Sequence, residues 1–122
     1  MSYVDSYVLA LPKANVEAYR ALAQRAGAIW REHGALEYRE CIADDVKPGE
    51  VTSFPQSVQL KDDEVVVFSY IVFESRAQRD EVNAEVMSDP RLADLMQASQ
   101  LPFDGKRMFW GGFQPMIDTK AE

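Results

Sequence analysis

The sequence predicts an α+β domain of the ferredoxin-like kind, a βαββαβ chain whose antiparallel sheet carries its helices on one face. Three observations predict it. Strand-type patterning appears at the start, twice in the middle and at the end of the chain. Helical spacing appears between the first and second of these segments and again between the third and the last. The 122 residues suit a single domain with one core. A domain over residues 1–117 and a short C-terminal tail over 118–122 are expected.

The elements follow in order. Tyr3 to Leu11 is rich in Tyr, Val and Leu and ends at Pro12, as a strand does. From about Lys13 to His33, residues Val16, Tyr19, Ala23, Ala26 and Trp30 recur every three or four positions and share one helical face. Gly34 supplies a stop. Leu36 to Asp44 alternates, with Leu36, Tyr38, Glu40 and Ile42 on one side and Glu37, Arg39, Cys41 and Ala43 on the other. The stretch "DDVKPGEVTSFPQSVQLKDDE" turns at Lys47-Pro48-Gly49. Its second part, Thr52 to Leu60, reads as a strand interrupted at Pro55, serving as a sheet extension or dimer arm, because structureless loops of that length are unusual in small domains. Val65 to Phe73 is apolar almost throughout and belongs at the centre of the sheet. Ser75 and Gln78 form a capping-box pattern that opens a second helix. Asp89 and Pro90 end it and start a short third one, "PRLADLMQAS". A last strand runs from about Arg107 to Ile117.

A sheet with helices on one side leaves the other side to be covered. Tyr3, Tyr7 and Leu9 share a face, and Tyr38 and Ile42 extend it. A second copy of the chain covers such a face most simply, so a homodimer is expected.

Charge narrows the partners. The net charge of −7 and pI near 4.7 disfavour nucleic acid and anionic membrane surfaces. RNA binding would further require an exposed stripe of arginine and aromatic residues. One cysteine, Cys41, excludes an intramolecular disulfide and fits a reducing compartment. The N-terminus carries Asp5 inside its apolar run and is a poor signal peptide. No apolar stretch approaches the ~18 residues a membrane span needs. A cytoplasmic location is expected.

Two carboxylates interrupt strand patterns. Asp5 lies between Tyr3 and Tyr7, and Glu40 between Tyr38 and Ile42, so both are expected to point into a cavity between two facing sheets. A carboxylate there has a raised pKa and can serve as a catalytic acid or base. Alternatively, each pairs with Arg39 or Arg107 and holds register. Tyr7 and Ser69 are candidate hydrogen-bonding groups for a bound molecule. Lys106 and Arg107, entering the last strand, are candidate anchors for an anionic group, or neutralise Asp104 and other nearby acids. Gly111-Gly112 marks a bulge or a close approach, most simply by a dimer partner or neighbouring backbone.

The rest is bland. In "SRAQRDEVNAEVM" the pairs Arg76/Asp80 and Arg79/Asn83 each share a helix face, which reads as a solvated, salt-bridged surface rather than a substrate clamp. His33 sits at a helix C-terminus, where a cation is favoured. Cys41 is expected to be buried and inert. One histidine and one cysteine, apart in sequence, make no metal-ligand pattern, and "GKR" at 105–107 lacks the residues of a phosphate loop. No metal or cofactor is expected.

Three segments carry a resemblance: "YVDSYVLALP", "VVVFSYIVFESRAQRDEVNAEVMSDPR" and "LPFDGKRMFWGGF". Through them the chain resembles the YbaA-like family of small bacterial proteins, a domain of unknown function in the dimeric α/β-barrel superfamily. The resemblance implies a βαββαβ protomer whose sheet pairs with that of a second copy. It supplies no reaction and no catalytic residues. The wider superfamily includes cofactor-free monooxygenases, haem-degrading enzymes and isomerases. Its haem-degrading members use a histidine on the second helix, where this chain has Asn83, so haem is not expected.

The reading that follows is a homodimer binding a small, partly apolar molecule in a cavity, with cofactor-independent oxygenation or isomerisation as the reaction types that fit. The rival is a non-enzymatic dimeric scaffold or regulator with a filled barrel. A cavity of ~300 Å³ or more reaching Asp5 or Glu40 separates the two.

Overall fold

A computed structural model of the chain describes residues 2–97 and 101–119. Strands β1 (Tyr3–Pro12), β2 (Glu37–Ile42), β3 (Glu64–Phe73) and β4 (Phe109–Phe113) form one sheet in the order β2-β3-β1-β4, antiparallel throughout. Helix α1 (Val16–Glu32) connects β1 to β2, and α3 (Arg76–Met87) and α4 (Pro90–Leu95) connect β3 to β4. This is the expected ferredoxin-like α+β arrangement.

Local chemistry sets the boundaries. A single 3-10 turn at Lys13–Asn15 follows Pro12 and leads into α1, which begins at Val16 rather than Lys13. Gly34 takes φ +121°, a left-handed conformation that suits glycine, and the chain turns back towards β2 there. Ser75 caps α3 by accepting from the Gln78 N–H at 3.1 Å, and Asp89 caps α4 by accepting from the Arg91 N–H at 2.9 Å.

Three expectations are corrected. Thr52 to Leu60 is not a strand or arm. It holds a short helix, α2 (Phe54–Ser57), capped by Ser53, with Pro55 in the first turn, where its missing N–H does no harm. Val58, just after α2, is 1% exposed and packs on Val8, Ala10 and Val66. The last strand is also shorter than predicted: Arg107 belongs to a 3-10 turn, and β4 ends at Phe113, ahead of Pro115. The short third helix ends at Leu95. Residues 98–99 of its predicted span, and residues 120–122 of the predicted tail, lie outside the described residues.

The third correction concerns the sheet's faces. Tyr3, Asp5, Tyr7, Leu9 and Leu11 do share a face, but it is the face covered by the helices. There Tyr3, Ile71 and Phe73 pack with Ile29, Trp30, Val82 and Val86, and Leu9, Leu11 and Val67 pack with Tyr19 and Ala23. The face without long helices carries Val8, Ala10 and Val66 beneath the α2 segment. Beyond that cover, Phe68, Phe109 and Phe113 stand 36%, 46% and 59% exposed.

Candidate functional site

The ladder register lines up side chains in rows across the helix-covered face. One row is Trp110–Tyr7–Ser69–Glu40, and the next is Gly112–Asp5–Ile71–Tyr38. Four of the predicted site residues, Asp5, Tyr7, Ser69 and Glu40, therefore come together on one surface. They face α1 and α3, not a second sheet.

Glu40 is the better-developed centre. On α1, Tyr19, Ala23 and Gly27 are spaced four apart and face β2. The Tyr19 hydroxyl donates to Glu40 Oε1 at 2.7 Å. The Tyr38 hydroxyl, two residues along β2, donates to Oε2 at 2.6 Å. Ser69, directly opposite on β3, adds a third stabilising hydroxyl. Gly27 makes this arrangement fit, because a Cβ there would lie 2.6 Å from Cδ1 of the Tyr38 ring. Burial pushes the Glu40 carboxyl above its ordinary pKa, and the three hydroxyls pull it only part of the way back. Burial and the Glu40 charge also raise the pKa values of Tyr19 and Tyr38, so both stay protonated donors.

A cavity of about 560 Å³ lies between α1 and β2. Glu40, Tyr19 and Tyr38 supply its polar wall, and Leu11, Val16, Ala23, Ile42 and Val67 its apolar lining. Its size is that of a small-molecule site.

Asp5 is a different kind of centre. It is 0% exposed and does not line this cavity. Its Oδ1 lies 3.6 Å from Nε of Arg79, and its Oδ2 accepts from Asn83 Nδ2 at 3.3 Å. Asn83 in turn accepts from the Trp30 indole N–H at 3.0 Å. Arg79 donates to the Tyr3 hydroxyl at 3.1 Å and lies over the Tyr3 ring. Burial raises the Asp5 pKa against the opposing pull of Asn83 and Arg79. Asp5 Oδ1 and Arg79 Nε are buried without a hydrogen-bond partner among the described residues. Tyr7 sits between the two centres. Its hydroxyl pKa is raised by burial and by the charges of Asp5 and Glu40, and its ring stacks on Trp110 at 5.9 Å.

The Arg79/Asn83 side of α3 is not solvated, which corrects the sequence expectation: the Arg79 side chain is 14% exposed and turned onto Asp5. The Arg76/Asp80 side is solvated. The predicted arginine partners for the carboxylates are also corrected. Arg39 pairs with Glu37 at 3.0 Å, and Arg107 pairs with Glu64 at 2.6 Å and with Asp104 at 3.1 Å. Arg107 also donates to the carbonyls of Val58 and Gln59. Glu64 stands opposite Pro12, seven positions along β1 from Asp5, or about 23 Å of strand. Arg107 is therefore a clamp at the far end of the sheet, and the exposed Lys106 lies beside it in the same turn.

The expected close approach occurs at Gly112, and within the chain it is made by side chains rather than by backbone. A Cβ on Gly112 would lie 2.6 Å from both the Arg79 guanidinium and the Tyr3 hydroxyl. Cys41 is exposed, contrary to expectation, because it lies on an edge strand. His33 contacts Asp89 at 2.9 Å and Glu85 at 3.2 Å. Sequence reasoning passes over Tyr19, Tyr38 and Gly27 as site residues. Gly27 carries a signal, since glycine inside a helix is unfavourable unless something needs its space.

An antiparallel β2-β3-β1-β4 sheet backed by helices, with a hydroxyl-bound carboxylate on its covered face, defines a ferredoxin-like α+β protein. The chain matches the model of a family described as "Protein of unknown function (DUF1428)" over residues 2–105, and it belongs to that family. It is 45% identical over 118 residues to the "Uncharacterized protein YbaA" of Escherichia coli (strain K12), covering 97% of this chain and 99% of that relative. Solved structures share the fold at low identity. SnoaB, a cofactor-independent oxygenase from Streptomyces nogalater solved as a point mutant, matches with a TM-score of 0.60 at 10% identity over 98% of both chains. Rv0793 from Mycobacterium tuberculosis matches at 0.54 and 16% identity over 98% of this chain and 100% of its own. A dimeric ferredoxin-like protein from an uncultured marine organism matches at 0.54 and 9% identity over 99% of this chain and 100% of its own.

Proposed function

We propose that this protein is a homodimer that binds a small, partly apolar molecule between α1 and β2 and moves a proton on it with Glu40. One observation carries the reading: a cavity of about 560 Å³ reaches a carboxylate whose pKa is raised and whose contacts are all hydroxyl groups. Such a carboxylate is a stronger base than a free one and is not tied up by a cation. In the reaction, Glu40 takes a proton from carbon or oxygen of the bound molecule. Tyr19 or Tyr38, whose hydroxyl had donated to the Glu40 oxygen that now carries the proton, can then turn its O–H towards the negative charge left on the molecule. Returning the proton elsewhere on the molecule gives an isomerisation. Reaction of the carbanion with O2 gives a cofactor-independent oxygenation, the activity named for SnoaB. Ser69 and Tyr7 extend the hydrogen-bonding surface next to Glu40. Asp5, closed beneath α3, acts as a positioning residue that bears on Tyr7.

The exposed phenylalanines support the dimer. Phe68, Phe109 and Phe113 make an apolar surface on the side of the sheet away from α1, α3 and α4, and a second copy would cover it. Mass spectrometry of the protein purified gently from its own host tests both parts. The expected result is a dimer carrying a small molecule that Ala28→Trp, at the cavity mouth, excludes. Glu40→Gln should bind that molecule and fail to convert it. A monomer would overturn the dimer, and full turnover by Glu40→Gln would overturn the role of Glu40. A filled scaffold is disfavoured because the cavity reaches Glu40.

A further inference from the structure

We propose that this cavity selects organic anions, molecules with an apolar body and one carboxylate-like group, and that Arg31 anchors that group. The inference rests on the cavity being a binding site, as proposed above. Apart from Glu40, the charged side chains lining the cavity are Arg20 and Arg31. On a chain of net charge −7, the cavity lining thus carries two guanidinium groups.

The two arginines differ. They stand eleven positions apart on α1, about 16 Å along the helix axis. Arg20 pairs with Glu17 at 3.2 Å, which neutralises it in part. Arg31 has no carboxylate partner among the described residues. Its Nη1 donates to the Ala35 and Leu36 carbonyls, each at 2.6 Å. These two bonds hold the guanidinium against the turn into β2 and leave Nε and Nη2 without a hydrogen-bond partner among the described residues. That is the edge of the fork that binds a carboxylate with two parallel hydrogen bonds. The ordering cost that weakens most exposed arginine contacts is already met by the backbone carbonyls. Between Arg31 and Glu40 lie the rings and small residues of the wall, Tyr38, Gly27 and Ala28 among them. An apolar body seated there would have its anion at the mouth and its reacting atoms at the carboxylate.

Two fluorescent probes with the same body test this: 1-anilinonaphthalene-8-sulfonate, an anion, and N-phenyl-1-naphthylamine, which lacks the sulfonate. The anion should bind about tenfold more tightly, the worth of one charge-assisted pair. Arg31→Gln should remove that preference and leave the neutral probe unchanged, which also reports a folded cavity. Arg31→Lys should retain part of the preference, and Arg20→Gln should change it less than about threefold, as a partly neutralised surface charge would. Salt at about 0.5 M should weaken only the anion. Equal affinities, or a preference that survives Arg31→Gln, would overturn the anion inference while leaving the cavity reading intact. Failure of both probes to bind, or binding of both unaffected by Ala28→Trp, would instead overturn the cavity reading and the anion inference with it.

Discussion

Glu40 and Glu64 are the same side chain on neighbouring strands, and the fold treats them oppositely. Glu64 is the more deeply buried, with its side chain 4% exposed, yet its pKa is lowered to about 2. Glu40 lines an open cavity, yet its pKa is raised. Accessibility alone would order them the other way, but desolvation is the largest influence on Glu40 and at Glu64 it is outweighed by Arg107. Desolvation and partner together decide: Glu64 receives a two-pronged guanidinium from Arg107 and the Lys61 N–H, whereas Glu40 is more strongly desolvated and, among the described residues, receives neutral hydroxyls. A cation stabilises the ionised carboxyl strongly enough to outweigh desolvation, and hydroxyls do not. One glutamate closes the far end of the sheet. The other keeps a proton affinity that can be used.

The largest effect expected from breaking this contrast is in Glu40→Gln. If Glu40 is the base, turnover of the molecule the cavity retains falls by roughly 10²- to 10⁴-fold while circular dichroism is unchanged. Next is Arg107→Met, which leaves Glu64 without its cation. The Glu64 pKa, followed by NMR of the carboxyl carbon, should climb from about 2 to above its ordinary 4.5. The two groups also give stability opposite pH slopes. The lowered Glu64 pKa stabilises fully above pH 4.5 and is lost as pH falls towards 2, so Arg107→Met removes that acid limb. The raised Glu40 pKa costs stability as pH rises from 4.5 through its folded value, so Glu40→Gln flattens that limb in urea titrations. Tyr19→Phe removes one hydroxyl donor. It should cost about 1.5–3 kcal/mol and raise the Glu40 pKa further, making it less like Glu64 still. The smallest change is Gly27→Ala. Its methyl meets Tyr38, so the Tyr38–Glu40 contact should loosen and stability fall by about 1–3 kcal/mol, offset in part by alanine's better helix propensity. An unchanged Tyr38 environment in that variant would show that Gly27 does not set the geometry.

Much of this is legible in the linear chain. The apolar run of β3, the three-and-four spacing of α1, and the caps at Ser75 and Asp89 are local signals, and each marks its element. Period-two alternation also puts Asp5 with Tyr7 and Glu40 with Tyr38. The side of the sheet is not legible, because alternation separates two faces without saying which one receives the helices. Nor are the ionic partners. Arg79 is 74 residues from Asp5, and Arg107 is 43 from Glu64, and sequence spacing offers Arg39 and Arg107 for the carboxylates instead. Pro55 misleads for a related reason: a proline that interrupts a strand also suits the first turn of a helix.

The sequence by itself determined the order of elements, the ferredoxin-like α+β class and the pairing of site residues along each strand. These depend on periodicity and capping, which are properties of neighbouring residues. Tertiary structure alone decided that Glu40 meets two tyrosines, that Asp5 meets Arg79, and that Gly112 makes room for Arg79 and Tyr3. It also decided that Arg107 is spent on Glu64, while Arg20 and Arg31 line the cavity. The physical reason is that a carboxylate's pKa and chemistry depend on charges and donors within a few ångströms, and strand register and helix packing, not sequence proximity, choose which residues those are.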